Sequence, residues 1–159
     1  MTVPVGSWLE FQFWPQNHSV AQAAFDKPCE PLDGGFFSGF FPVAADVAEG
    51  ERPSFRVEVK DDKPIWLYCS AGKHCQNGMV GVVNPPAQGA NTLEAFTTAS
   101  AEVADNKSPS NLAATGGTVG KVGAENAEDS TGEMNGAGRI VGSVGLAGVV
   151  GLVVAVWGL

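Results

Sequence analysis

Basic residues, cysteines and histidines are all scarce in this sequence. Its 159 residues include 9 Lys and Arg against 17 Asp and Glu, for a net charge of -8. A surface of that sign repels phosphate, so nucleic acid is not an expected partner. Only two histidines are present, His18 and His74, so a site that needs several imidazoles in addition to these is excluded.

The three cysteines are Cys29, Cys69 and Cys75. An odd count normally indicates one disulfide pair and one thiol with its own chemistry. No nucleophile has an obvious histidine base once these residues are assigned. The neighbouring acids Asp61 and Asp62 are typical of a solvated turn rather than of a general acid and base. We therefore expect no independent enzyme activity.

The composition divides the chain into three parts. Residues 1–104 carry the aromatic and β-branched residues of one domain, which is the usual unit for this length. Residues 105–135 are Gly, Ser, Thr, Asn and Ala with scattered charge, which predicts a flexible, disordered stalk. Residues 136–159 form a hydrophobic tail, and no charged residue follows Arg139.

The tail is typical of a glycolipid-anchor (GPI) signal, because it follows small residues and a short polar spacer and ends the chain. Asn135 is the predicted attachment residue and Ser130 is the second choice. A retained transmembrane helix is the alternative, since twenty apolar residues are long enough to span a bilayer. Met1 is followed by no signal-peptide pattern, although such an anchor requires one, so we expect the native start to lie upstream.

Four segments read as β-strands. WLEFQFW and SFRVEVK alternate apolar and polar residues with period 2, and IWLYC and MVGVVN are aromatic or β-branched runs. A Gly- and Pro-rich passage with Phe36, Phe37, Phe40 and Phe41 separates the first two, and a loop of this length needs an anchor. A short helix is predicted after the last strand, capped by Asn91 or Thr92, with Leu93, Phe96 and Val103 facing the domain.

The loop between the last two strands has the pattern Cys69-x4-His74-x4-Met79, and His18 follows the first strand. A thiolate, two imidazoles and a thioether together are the ligand set of a blue-copper site. Zinc held by Cys69, His74, Cys75 and His18 is the rival interpretation, although adjacent His74 and Cys75 suit a tetrahedral site poorly. Met79 taken alone is equally compatible with a core residue.

The segments EFQFWPQNHSVAQAAFDKPCEPL and KPIWLYCSAGKHCQNGMVGVVNPP resemble the fungal GPI-anchored cupredoxin-like cell-surface proteins, which are relatives of the plant phytocyanins. The resemblance covers roughly residues 3 to 104. It implies an all-β fold, a cupredoxin Greek-key β-sandwich with a short C-terminal helix, a disordered stalk and a hydrophobic tail. The family's first strand has no counterpart here, which predicts an unpaired sheet edge.

The resemblance also implies a role for each site residue. His18, Cys69, His74 and Met79 would bind copper, and Cys29 and Cys75 would form a disulfide. Asn17 and Ser19 are candidates for orienting the first histidine loop. Asn17-His18-Ser19 is also a glycosylation sequon, but a sugar there would crowd the metal site, so Asn106-Lys107-Ser108 is the favoured acceptor, weakened by the following Pro109.

The expected function is that of a monomeric blue-copper protein at the cell surface, anchored to the plasma membrane and passing single electrons to or from an unknown extracellular redox partner. One alternative is a structural or adhesive cell-wall module in which an exposed aromatic loop around Phe36 to Phe41 contacts a partner. Copper capture is a further alternative that uses the same ligands.

Overall fold

The computed structural model describes residues 1–122 and the segment 152–157. Nine strands and one α-helix occur in this part of the chain, with a short 3-10 helix at Glu49–Glu51. The strands are β1 (Trp8–Phe13), β2 (Gln16–His18), β3 (Ala21–Ala23), β4 (Phe41–Val43), β5 (Pro53–Glu58), β6 (Ile65–Tyr68), β7 (Val80–Val83), β8 (Thr118–Lys121) and β9 (Leu152–Trp157), and helix α1 is Leu93–Ala101.

The strands form three sheets, in the orders β8-β5-β1-β9, β2-β4 and β3-β6-β7. Every pairing is antiparallel except that of β9, which lies parallel to β1. The all-β fold class is therefore confirmed, and each of the four predicted strand segments contains an observed strand. Among the described residues, no helix is long and apolar enough to cross a membrane.

Strand β6 separates two hydrophobic cores, because successive side chains of a strand point to opposite faces. Ile65 and Leu67 join the first core, which lies between the sheets and includes Leu9, Phe11 and Phe55. The second core is built on the other face of β6 and includes Trp66, Tyr68, Phe96 and both disulfide cysteines. The strand is thus buried on both sides.

Strand β1 is more buried than its alternating pattern predicts. Leu9, Phe11 and Phe13 are buried as expected, and Glu10 and Gln12 on the other face are buried as well. The Glu10 carboxylate accepts a hydrogen bond from Arg56 Nε at 2.9 Å, which compensates its charge. The predicted open edge differs from the structure, since the backbone of β1 pairs with β5 on one side and β9 on the other.

Helix α1 begins as predicted, with Thr92 as the N-cap: its side chain accepts a hydrogen bond from the backbone N–H of Ala95 at 3.1 Å. Phe96 is fully buried against Trp66, with ring centroids 4.9 Å apart, and Val103 packs against the same core. The prediction for Leu93 was wrong, because its side chain is exposed. Position 93 opens the first turn, on the side of α1 that faces solvent.

The aromatic loop is packed into the domain. Phe36 and Phe37 are buried, and Phe40 and Phe41 are partly buried against the two cores. The exposed aromatic surface predicted for the adhesive alternative is therefore absent from this loop. Aromatic packing supplies the anchor that a loop of this length requires.

The start of the predicted stalk also differs from the structure. Residues 105–122 lie on the sandwich: strand β8 pairs with β5, and Phe37 pairs with Thr115. These contacts use backbone hydrogen bonds rather than large apolar side chains, which is why composition gave no sign of them. Residues 123–135, with the predicted anchor residue Asn135, lie outside the described part of the chain.

A disulfide joins Cys29, in the loop after β3, to Cys75, in the loop between β6 and β7. The bonded residues are 46 positions apart, and both are fully buried in the second core. Cys69 is buried and free. The division leaves a single thiol for other chemistry.

We expect the double variant Cys29→Ala/Cys75→Ala to lose about 4 kcal/mol of unfolding free energy, because a closed loop of this size restricts the unfolded chain by about that amount. Denaturant unfolding of the metal-free protein measures the loss. Cys69→Ser, which retains the disulfide, is the matched control and should lose less. A double variant as stable as the parent would contradict the expected contribution.

Candidate metal centre

Three potential metal ligands converge at one end of the sandwich. The side-chain donor atoms of His18, Cys69 and His74 all lie within 4.8 Å of one another. The thiol sulfur of Cys69 is 3.4 Å from His74 Nδ1, and the two imidazole centroids are 5.0 Å apart. Cys69 and His74 share one loop, whereas His18 lies more than fifty positions earlier in the sequence, so the fold brings His18 to the other two.

Three of the four ligand candidates are positioned by the end of a strand. His18 is the last residue of β2, Cys69 directly follows β6, and Met79 directly precedes β7. His74 lies in the intervening loop, which begins as a turn with the His74 N–H bonded to the Ala71 carbonyl at 3.0 Å. The adjacent Cys75 ties this loop to the second core through the disulfide.

The backbone brings Met79 to the same place. Its N–H donates to the His74 carbonyl at 2.9 Å, and its carbonyl accepts from the Cys69 N–H at 3.0 Å. Met79 is half-buried. These contacts place its backbone beside two candidate ligands, and the role of its sulfur as a ligand stays a prediction.

His18 is an unusual buried residue. Its side chain is only 1% exposed, yet neither ring nitrogen makes a hydrogen bond of good geometry in the described part of the chain, where only a weak contact with the Pro15 backbone is found. Burial lowers the pKa of His18 below its ordinary value and the nearby His74 lowers it further, against a smaller opposing effect of the Pro15 backbone. The ring is therefore held neutral, with a lone pair available, and a buried polar group without a partner calls for an explanation.

The free thiol of Cys69 has neighbours of its own. The Ser19 N–H donates to its sulfur at 3.4 Å, and the Ser19 hydroxyl lies 3.9 Å from it. The same hydroxyl accepts from the Ser70 N–H at 2.9 Å. Ser19 thus ties the histidine loop to the thiol, and Asn17 is exposed at the start of the same segment. The role of these two residues in orienting His18 stays a prediction.

The zinc alternative conflicts with the disulfide. It requires Cys75 as a thiolate ligand, but the sulfur of Cys75 is bonded to Cys29. One thiol and two imidazoles remain at the site, together with the predicted thioether. This donor set matches copper in a trigonal site with a weak axial ligand.

One contact of the site was missed from the sequence. The amide of Asn106 donates to the Cys69 carbonyl at 2.9 Å and to the Gly72 carbonyl at 3.0 Å. Composition assigned Asn106 to the stalk, and its only signal was membership of a glycosylation sequon. A side chain that bonds only to backbone carbonyls leaves no spacing pattern from which it could be found.

Two curated fungal proteins match the chain, both from Arthroderma benhamiae. The first, named "Probable GPI-anchored cupredoxin-1", is 38% identical over 108 residues, which cover 68% of this chain and 53% of that protein. The second, named "Extracellular serine-rich protein", is 37% identical over 116 residues, covering 72% of this chain and 43% of that protein. The chain spans about half the length of these relatives.

No protein-family model and no solved structure matches the chain. The names of both relatives agree with the predicted cell-surface location, and neither name denotes an enzyme. The first relative carries the family name that the two sequence motifs predict. The chain is thus related to the fungal GPI-anchored cupredoxin-like proteins, and its described domain has an all-β, cupredoxin-like fold.

Proposed function

We propose that the protein is a blue-copper protein of the cell surface that carries single electrons by outer-sphere transfer. His18, Cys69 and His74 would hold the ion, with Met79 as the axial ligand. The observation that carries the proposal is the convergence of a buried imidazole, a free buried thiol and a second imidazole, whose donor atoms all lie within 4.8 Å of one another.

The chemistry of the donors favours a copper site over a group of side chains that only packs together without a metal. Burying an imidazole without a hydrogen bond costs free energy, and metal coordination would recover it. Thiolate and imidazole donors suit copper, which would supply a reversible one-electron change between Cu(I) and Cu(II) when bound. The carboxylates of the described chain contribute no ligand atom to this group.

The surrounding residues would keep the donors in place during that change. The Ser19 N–H stabilises negative charge on the Cys69 sulfur, and the disulfide at Cys75 restrains the backbone of His74. A site whose ligands move little on oxidation has a low reorganisation cost, which suits electron transfer. His18 is enclosed whereas His74 is half-exposed, so His74 offers the route between the site and solvent.

A cell-surface location follows the names of the relatives, one GPI-anchored and one extracellular. There the partner would be an extracellular redox protein or a cell-wall component. Attachment through the predicted lipid anchor at Asn135 would hold the domain at the membrane. The predicted alternative of a C-terminal transmembrane helix conflicts with strand β9, which occupies Leu152–Trp157, and cleavage at Asn135 would remove β9 and leave β1 paired with β5 alone. The domain would act as a monomer.

Cu(II) added to the full-length chain should produce an intense visible absorption, because electrons pass from the Cys69 thiolate to the metal on excitation. Cys69→Ser should lose this band, since a hydroxyl cannot replace the thiolate. Ser70→Ala is the control that leaves the thiol in place. A band of equal intensity in Cys69→Ser would refute the assignment of the ligand.

Replacement of Met79 should change the reduction potential while keeping the visible band, because the axial ligand tunes the copper rather than supplying the absorption. Met79→Leu removes the weak donor that favours Cu(II), so its potential should rise. Met79→Gln supplies a stronger oxygen donor, so its potential should fall. Cyclic voltammetry measures both shifts. Equal reduction potentials in the parent, Met79→Leu and Met79→Gln would show that Met79 is not a copper ligand.

The rate of electron exchange with an electrode distinguishes an electron-transfer protein from a copper-capture protein. Protein-film voltammetry of the copper-loaded chain should show a reversible couple with fast exchange. A protein that binds copper but gives no reversible couple would be a capture protein, and the proposed electron-transfer role would be rejected.

A further inference from the structure

The segment 105–107 crosses the outside of the metal-binding loop. The amide nitrogen of its middle residue, Asn106, donates hydrogen bonds to the carbonyls of Cys69 and Gly72. Both partners are acceptors, and an amide nitrogen carries two hydrogens, so each hydrogen serves one carbonyl. The side chain therefore bridges the first four residues of the loop that carries Cys69 and His74.

The segment is itself fixed to the domain on both sides of its backbone. The Lys107 N–H donates to the Cys29 carbonyl at 2.9 Å, and the Tyr68 hydroxyl donates to the Lys107 carbonyl at 2.8 Å. The Lys107 ammonium adds a surface ion pair with Glu30.

We infer that Asn106 is a positioning residue for the metal centre: it clamps the Cys69–Gly72 turn from outside, and this role requires its amide to remain unglycosylated. The inference rests on the proposed copper site. Ser19 holds the Cys69 sulfur through the contact at 3.4 Å, and Asn106 holds the Cys69 backbone carbonyl through the contact at 2.9 Å. The two contacts together restrict the direction in which the thiolate points.

The same amide belongs to the sequon Asn106-Lys107-Ser108. A glycan would be attached to the nitrogen that makes both hydrogen bonds, and it would replace one of the two hydrogens. Attachment therefore breaks one of the two contacts with the loop. Glycosylation and the two hydrogen bonds therefore compete for the side-chain nitrogen of Asn106. This argues against the sequence-based prediction that Asn106 is the glycosylated residue.

The clamp is tested first without metal. In Asn106→Asp, carboxylate oxygens would face the two carbonyl oxygens, so the loop should open more often. Hydrogen exchange of the His74 and Met79 amides in the metal-free full-length chain should accelerate by about tenfold or more, as expected for losing hydrogen bonds of ordinary net strength. The Leu67 and Gly81 amides of β6 and β7 should exchange as in the parent.

Asn106→Ala removes both donors without adding charge, and it replaces Asn106→Asp if that variant does not fold. Asn111→Ala is the matched control, because the Asn111 side chain is exposed and bonds only to the nearby Ala113 N–H. Unchanged exchange at His74 and Met79 in a folded Asn106 variant would overturn the clamp. This measurement does not depend on copper.

A second measurement addresses the metal centre. In copper-loaded protein, Asn106→Asp should alter the position or relative intensity of the visible band, whereas Asn111→Ala should leave it unchanged. If Asn106→Asp accelerates hydrogen exchange of the loop amides but leaves the visible copper band unaltered, Asn106 does not position the Cys69 ligand. A parent chain without any band would refute the proposed function, and the exchange experiment would then still decide the clamp.

The modification is tested by secreting the parent chain from yeast behind an added signal peptide. Mass analysis of the peptide that contains Asn106 should find the residue unmodified. A glycan on Asn106 in protein whose loop amides exchange at the same rate as those of unglycosylated protein would overturn the requirement for a free amide.

Discussion

The covalent bond between Cys29 and Cys75 is the constraint on which the metal centre depends. It attaches the loop between β6 and β7 to the second hydrophobic core, one residue away from His74. Without that attachment, Met79 would be the one large apolar side chain in a loop otherwise made of Gly, Ala and polar residues. The disulfide makes a flexible segment part of a rigid scaffold, and it leaves Cys69 as the only free cysteine.

The rigid scaffold explains how a small domain can keep an imidazole buried with so little hydrogen bonding from the protein. His18 is held at the end of β2, where the adjoining Ser19 N–H reaches the Cys69 sulfur. The donors are therefore prearranged, and little backbone rearrangement is needed for them to meet one ion. Preorganisation of this kind is what a functional site requires from its supporting residues.

Strong local patterns made the strands and ligand candidates predictable from the sequence. Period-2 alternation identified β1 and β5, and the resemblance of two motifs singled out His18, Cys69, His74 and the disulfide cysteines. The contacts of residues 105–122 were not predictable, because backbone and amide hydrogen bonds hold them without an apolar pattern. The burial of Glu10 was missed for a related reason, since its partner Arg56 lies on another strand.

The central claim is that one thiolate and two imidazoles bind copper in a geometry set by the protein. X-ray absorption of the copper-loaded full-length chain in both oxidation states tests it most directly. The account predicts one short copper–sulfur bond and two copper–nitrogen bonds in each state, with bond lengths that change little on reduction. Loss of the copper–sulfur bond, or a different ligand set after reduction, would contradict it.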